Sequence, residues 1–239
     1  MRSASGPDLD DCRKPLRSGG FFERLSSDAV NELESLKVPF NFPANTVLFI
    51  EEQMPSNILF LLEGQVKLSM NSSAGRRLIL GIANPGETLG LASALSGSRY
   101  DITAETICVC RIASLDREDL LGFLLRNPAA YTNLVRELCL DCARACEQVR
   151  TLGLTATAAA RLARLLLEWC AGGQKTERGT RLFCSLTHGE IGQCIGASRG
   201  TVSRILSEFK YKEMLESRGS SLIISNRRAL EIYAGVRID

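Results

Sequence analysis

Two arginines, Arg199 and Arg204, stand five positions apart in the stretch LTHGEIGQCIGASRGTVSRIL, Leu186–Leu206. They follow a Gly-Ala-Ser break between two apolar-periodic segments. A guanidinium fork donates two parallel hydrogen bonds, the geometry that suits guanine O6 and N7 in the DNA major groove. Ser203, next to Arg204, adds a hydroxyl that can donate or accept. A second chemistry resides in the nine cysteines. Cys139, Cys142 and Cys146 recur at i, i+3 and i+7, and Cys108 and Cys110 alternate in the run ETICVCRI. Thiols so placed could bind a metal, hold an iron–sulfur cluster, respond to oxidants, or fill apolar gaps. Hydrolytic or nucleotide-hydrolysing chemistry has no such support. The single histidine, His188, lies inside the arginine-bearing stretch, and neither a Walker nor a GxGxxG loop occurs. No enzyme is expected.

The local pattern explains how the arginines would be positioned. Thr187 and Glu190 have capping-box spacing, so a helix starts at His188, points Ile191 and Ile195 inward and ends at Gly196. Ser198 can cap a second helix from Arg199 to about Lys210, whose buried face would be Val202, Ile205, Leu206 and Phe209. Two short helices joined by a tight glycine turn form a helix-turn-helix, whose second helix enters the major groove N-terminus first. Arg199, Ser203 and Arg204 then face bases. Thr187, His188 and Lys210 are candidates for the DNA backbone. So is Arg218, at the tip of two short β runs in MLESRGSSLIIS that read as a wing. From Ile195 to Arg228, Arg199, Arg204, Lys210, Lys212, Arg218, Arg227 and Arg228 outnumber Glu208, Glu213 and Glu216.

Upstream, the pattern changes twice. FFERLSSDAVNELESL reads as a helix capped by Ser26 or Ser27. From Pro39, the short runs TVLFIEEQ, ILFLLEGQVKLSM, RRLILGIANPGE and ITAETICVCRIA alternate with turn clusters, predicting an antiparallel roll. Gly64, Gly75, Gly81, Gly86 and Gly90 would sit at its turns. SLDREDLLGFLLRN is a helix that stops before Pro128. A long helix follows with apolar residues at Tyr131, Val135, Leu138, Cys142, Ala145, Val149 and Leu152, a heptad seam. Two partners suit that seam: the chain's own roll, or the same helix of a second copy in a parallel homodimer. TATAAARLARLLLEW is a further helix ended by Gly172 and Gly173.

Of the 239 residues 45% are hydrophobic, enough for sizeable cores, and the formal charge of +2 does not by itself indicate nucleic acid. The first twenty residues have no apolar stretch and read as a disordered tail, not a signal peptide. With no membrane-length apolar run, and cysteines in a chain without an export signal, the expected compartment is the reducing cytoplasm.

The stretch LTHGEIGQCIGASRGTVSRILSEF, with NPGETLG and YDITAET, resembles the CRP/FNR family of bacterial transcription regulators, and the resemblance covers nearly all of the chain after Phe21. It implies an α+β protein. An N-terminal antiparallel β-roll, of the cyclic-nucleotide-binding-like jelly-roll kind, spans 21–126. A dimerisation helix spans 127–154, and a C-terminal winged helix-turn-helix spans 155–239. The partners implied are double-stranded DNA at a palindromic site, a second copy of the chain, and RNA polymerase. The family's recognition arginines fall on Arg199 and Arg204, and its phosphate contacts on Ser198 and Thr201. Where family members usually carry a base-contacting glutamate, this chain has Gly200, so its half-site should differ at that base pair.

The effector pocket implied by the resemblance comprises Gly86, Glu87, Gly90, Leu91, Ser98, Arg99, Ala145 and Cys146. Cyclic-nucleotide binders resemble one another in a Gly-Glu pair and an Arg-Ser pair there. Here Gly90 precedes Leu91, Ser98-Arg99 is reversed, and Ala145 and Cys146 replace two hydroxyls. Each unpaired ligand atom would cost ~1–3 kcal/mol. Cyclic AMP is therefore disfavoured, a cyclic-nucleotide-responsive regulator remaining the alternative. Cys110 falls on a roll cysteine that helps hold the cluster of oxygen-sensing members, but only Cys12 is available near the N-terminus. Cys110, Cys139, Cys142 and Cys146 remain candidate ligands for another cluster or metal. The set is strained, because Cys139 and Cys146 stand ~10 Å apart along a helix axis. A thiol oxidoreductase using Cys139 and Cys142 is the rival of another class. It lacks a helix N-terminus that would stabilise a thiolate.

Overall fold

The computed structural model describes residues 21, 25–155, 157–183, 186–218 and 221–235, without the side chains of Phe183 and Arg218. The expected N-terminal tail, Cys12 and the wing tip at 219–220 lie outside the described residues. The runs between Val38 and Asp116 close into two antiparallel four-stranded sheets. One has the order β1 (Val38–Phe42), β8 (Cys110–Asp116), β3 (Asn57–Glu63), β6 (Thr88–Leu89). The other has β2 (Val47–Phe49), β7 (Thr103–Thr106), β4 (Val66–Asn71), β5 (Arg77–Ala83). The inward residues of each strand meet in the roll, where Phe49, Leu61, Val66, Leu89, Ala104 and Ile112 are buried together. ILFLLEGQVKLSM is therefore two strands, with Gly64 between them at φ +93°. A Cβ there would stand 2.6 Å from both Cys110 Sγ and Val109 O, so the close approach of the β3–β4 turn to β8 requires glycine. Gly81 is not at a turn. It lies within β5, at a register shift against Leu68 and Ser69, a β-bulge.

Helices pack on the outside of the roll. α1 (Ser27–Leu36) is capped by Ser26, whose hydroxyl accepts from Ala29 N. A short helix that the sequence did not announce, α2 (Leu91–Ser96), follows β6. α3 (Arg117–Arg126) is capped by Asp116 and ends before Pro128. α4 (Pro128–Leu154) starts on that proline, whose fixed φ suits a first helical position. Only its first turns are buried against α1 and α3, through Ala130, Asn133 and Leu134. No described helix is long and apolar enough to cross a membrane.

The C-terminal third has its own core. α5 (Ala158–Trp169), α6 (His188–Ile195), α7 (Arg199–Tyr211) and α8 (Arg227–Ala234) share it with a sheet of order β11 (Leu215–Arg218), β12 (Ser221–Ile224), β10 (Gly179–Phe183), β9 (Gln174–Thr176). Into this core the roll inserts Ile79 of β5, fully buried, with Ile82 packed beside it. The roll and the helix-turn-helix are thus joined by apolar packing as well as by α4.

Candidate DNA interface

The unit that carries the arginines forms as its spacing dictates. Thr187 Oγ1 accepts from Glu190 N at 3.2 Å, and the Glu190 carboxylate accepts from Thr187 N at 2.9 Å, closing the capping box. α6 ends at Gly196 in the left-handed region, φ +62°. Gly192 faces the turn so closely that a Cβ would lie 2.4 Å from Ala197 O. The Ser198 hydroxyl caps α7 by accepting from Thr201 N at 3.1 Å. Val202, Ile205, Leu206 and Phe209 are buried, as their spacing requires.

The opposite face of α7 is open. Arg199, Gly200, Arg204 and Lys210 are exposed, and none of the three basic side chains makes an ion pair among the described residues. A Cβ on Gly200 would meet nothing nearer than Ser198 Oγ at 3.9 Å, so packing does not demand glycine there. The basic surplus of this region is smaller than the sequence suggests. Lys212 donates to Glu208 at 2.7 Å, and those hydrogen bonds together with Tyr233 raise its pKa. Arg227 pairs with Glu231 at 2.8 Å. These two cations are paired inside the domain, whereas Arg199, Arg204 and Lys210 form no ion pair among the described residues. Ser203 is half-buried, with its Oγ 2.8 Å from His188 Nδ1. The β11–β12 hairpin pairs Arg218 with Ser221 in backbone register, and the Arg218 side chain lies outside the described residues.

The seam of α4 is largely open in the single chain. Tyr131, Val135, Cys142, Ala145 and Val149 are exposed, whereas Leu138 packs partly against the roll's outer core and Leu152 approaches Gly196. The chain's own roll therefore covers only part of the stripe.

No hydrogen bond or ion pair among the described residues joins two of the proposed effector residues. Leu91 is buried in α2 among the apolar side chains under the helices. Tyr100, which opens the YDITAET motif, is buried, stacks on Phe49 at 4.0 Å between centroids, and sits against Gly90. Arg99 donates to Glu52 O at 2.6 Å, and Ser98 pairs with Ser96 at 2.7 Å. Gly86 turns the loop at φ +96°, and Glu87 meets α4 through Arg144 at 3.2 Å, beside the exposed Ala145 and Cys146. Burial pushes the Glu87 carboxyl up despite that arginine. Glu137, about two turns earlier on α4, accepts from both the backbone and hydroxyl of Thr88, and burial raises it too.

Nor do the candidate metal ligands assemble. Cys110 is buried in the roll with its Sγ donating to Gln65 O and Cys108 O at 3.3 Å, and burial raises its pKa. Cys139, Cys142 and Cys146 are exposed on α4, so they are not gap-fillers of this chain's core, unlike Cys170 and Cys194. Among the described residues no three metal-binding side chains come together.

Besides α2 and α8 (Arg227–Ala234), three tertiary features were missed in the sequence. Lys67 of β4, its side chain 7% exposed, bridges Glu105 at 3.0 Å and Glu190 at 2.8 Å. Gln148 of α4 donates to Ile79 O at 3.4 Å and Cys194 O at 3.1 Å, stitching roll, long helix and α6 together. A cavity of about 410 Å³ opens between β5, Gln148, Trp169 and Arg181, and none of the proposed effector residues lines it.

Comparison with known proteins matches the Cyclic nucleotide-binding domain family over residues 39–127 and the Crp-like helix-turn-helix domain family over residues 160–233. The chain is 28% identical over 216 residues to the CRP-like cAMP-activated global transcriptional regulator of Mycobacterium tuberculosis, covering 90% of this chain and 96% of that protein. It is 27% identical over 225 residues to the nitrogen fixation regulation protein FixK of Azorhizobium caulinodans, covering 90% and 87%. Among solved structures, FixK2 from Bradyrhizobium japonicum superposes with a TM-score of 0.76 at 22% identity, covering 84% of this chain and 99% of that one. The c-di-GMP responsive regulator CLP of Xanthomonas campestris superposes at 0.72 and 17%, covering 83% and 99%.

Proposed function

Since the chain belongs to the CRP/FNR family of transcription regulators, we propose that it reads a palindromic DNA site as a homodimer, each protomer placing α7 in the major groove. The observation that carries this is the outer face of α7, where Arg199, Arg204 and Lys210 are exposed and form no ion pair among the described residues, Arg204 acting only at longer range on Glu208. Arg204 and Ser203 read base edges, and Arg199 reads a base or a phosphate at the helix start. Thr187, His188, Ser198, Thr201, Lys210 and Arg218 hold the backbone. The second protomer packs along the exposed stripe of α4, from Tyr131 to Val149, because an apolar seam of that length is costly in water. The dimer acts in the bacterial cytoplasm and recruits or obstructs RNA polymerase.

The signal acts where the roll meets α4, and cyclic AMP is not supported as that signal. Leu91 offers no carboxylate to a ribose, Tyr100 and Phe49 fill roll space, and Arg99 is held by a loop carbonyl. Isothermal titration of the purified dimer with cyclic AMP should give no heat of binding. Saturable binding would restore the cyclic-nucleotide alternative. Selection of bound sequences from a random duplex library tests the DNA function itself. A two-fold symmetric motif with half-sites about one helical turn apart, ~10 bp, is expected, and no enriched motif would refute it.

A further inference from the structure

We propose that His188 is a positioning residue that fixes the hydrogen-bonding sense of Ser203 toward its base, an inference that rests on the DNA function above. His188 is the chain's only histidine and opens α6, whereas Ser203 lies in the second turn of α7. The His188 Nδ1 and Ser203 Oγ stand 2.8 Å apart, joining the helix that faces the backbone to the helix that faces the bases. His188 is exposed, and its Nε2 makes no hydrogen bond among the described residues.

A serine hydroxyl carries one proton and two lone pairs, so by itself it accepts from or donates to a base and selects weakly. The imidazole removes that freedom. At a helix N-terminus on the DNA side, Nε2–H donates to a phosphate oxygen, which only accepts. In the neutral ring Nδ1 is then an acceptor. Ser203 must spend its proton on Nδ1 and presents only lone pairs to the groove. The bases that donate there are adenine, through N6, and cytosine, through N4. A phosphate contact on one nitrogen thus becomes a base preference through the other. His188 specifies a base that it does not touch.

The test is sequencing of duplexes selected by full-length wild type, His188→Lys, His188→Ala, Ser203→Ala and the His188→Lys/Ser203→Ala pair. Wild type should favour adenine or cytosine at one symmetric position, and Ser203→Ala should lose information at that position. Lysine only donates, so it leaves the serine proton free for the base. His188→Lys should shift that one position toward guanine or thymine by about five- to tenfold, the worth of one hydrogen bond. In the Ser203→Ala background the same lysine should shift nothing. His188→Ala should flatten the position, which gives the same answer if the lysine variant binds no DNA. A symmetric motif left unchanged by both His188 variants, or changed equally at every position, overturns the role of His188 and leaves the DNA function standing. No motif from the wild type removes both.

Discussion

Lys67 Nζ lies 2.8 Å from Glu190 Oε1, which ties β4 of the roll to the capping-box glutamate at the start of α6. The same ammonium stands 3.0 Å from Glu105, itself 2.8 Å from Arg77. The first turn of the DNA-reading unit is therefore shared: Glu190 closes the cap on Thr187 and anchors the domain to the roll.

Removing the cation leaves two partly buried carboxylates without it, which costs more than an exposed pair would. Lys67→Met, of similar length, should lower stability by roughly 2–4 kcal/mol. Urea unfolding followed at the chain's single tryptophan, Trp169 in α5, would show this. A change within about 0.5 kcal/mol, the range of ordinary surface substitutions, would mean that the packing of Ile79 and Ile82 and the Gln148 bridge hold the domains together without this ion pair.

The same network sets a pH dependence. Burial opposes the charged forms of Glu190 and Glu105, but hydrogen bonds from Lys67, with Thr187 on Glu190 and Arg77 on Glu105, bring both below 4.5. For Lys67 burial is again opposed, here by Glu190 and Glu105, and its pKa ends above 10.5. Carboxylates lowered in the folded state stabilise it above their unfolded values, and that contribution is lost as pH falls through the folded ones. A raised lysine contributes fully below 10.5 and is lost only as pH rises through its folded value. The stability gap between wild type and Lys67→Met should be constant at neutral pH and shrink below pH 4.5, where the carboxylates gain protons. A gap unchanged in acid would remove the ionic account.

Dimerisation is tested best at seam positions that the chain itself leaves open. Leu138 also serves the roll's outer core, so changing it would confound association with folding. Val135 and Val149 are 54% and 72% exposed. Val135→Glu with Val149→Glu should yield folded monomers in sedimentation velocity and abolish specific DNA binding. A stable dimer of that variant would place the interface elsewhere.

Cys142 occupies the middle of the same seam and is exposed in the single chain. In a parallel pair of helices its two copies face one another near the dyad, within reach of disulfide geometry. Mild oxidation should give a covalent dimer on non-reducing gels that Cys142→Ser loses and Cys139→Ser keeps. Identical bands from all three proteins would contradict a parallel α4 pair.

Much of this architecture was legible because its signals are local. The capping box at Thr187, the left-handed Gly196 and the heptad of α4 each act within a few residues. α8 was missed although Asn226 caps it and Leu230, Tyr233 and Ala234 share a helical face. Such a signal is short, and charged neighbours dilute it. β9 and β10 are brief and largely polar, with little alternation to read. The docking of roll on reader was not legible at all. Lys67 finds Glu190 123 positions away, and Ile79 looks like any strand residue. The packing beside the expected effector residues was hidden for a related reason: Tyr100 stacks on Phe49 between strands whose register no local pattern specifies.

The central claim is that the exposed face of α7 reads bases, and Arg204 is its most direct test. One turn inside the recognition helix, its guanidinium can reach a base edge. Arg204→Ala should cost ~1–3 kcal/mol per half-site and relax preference at one base pair of each. Lys210→Ala, which removes a proposed phosphate contact, should weaken all sequences alike and flatten the salt dependence. Duplexes selected from a random library by wild type and by Arg204→Ala are to be sequenced side by side. Loss of information at a single symmetric position confirms the account, and the same motif with the same information at every position contradicts it.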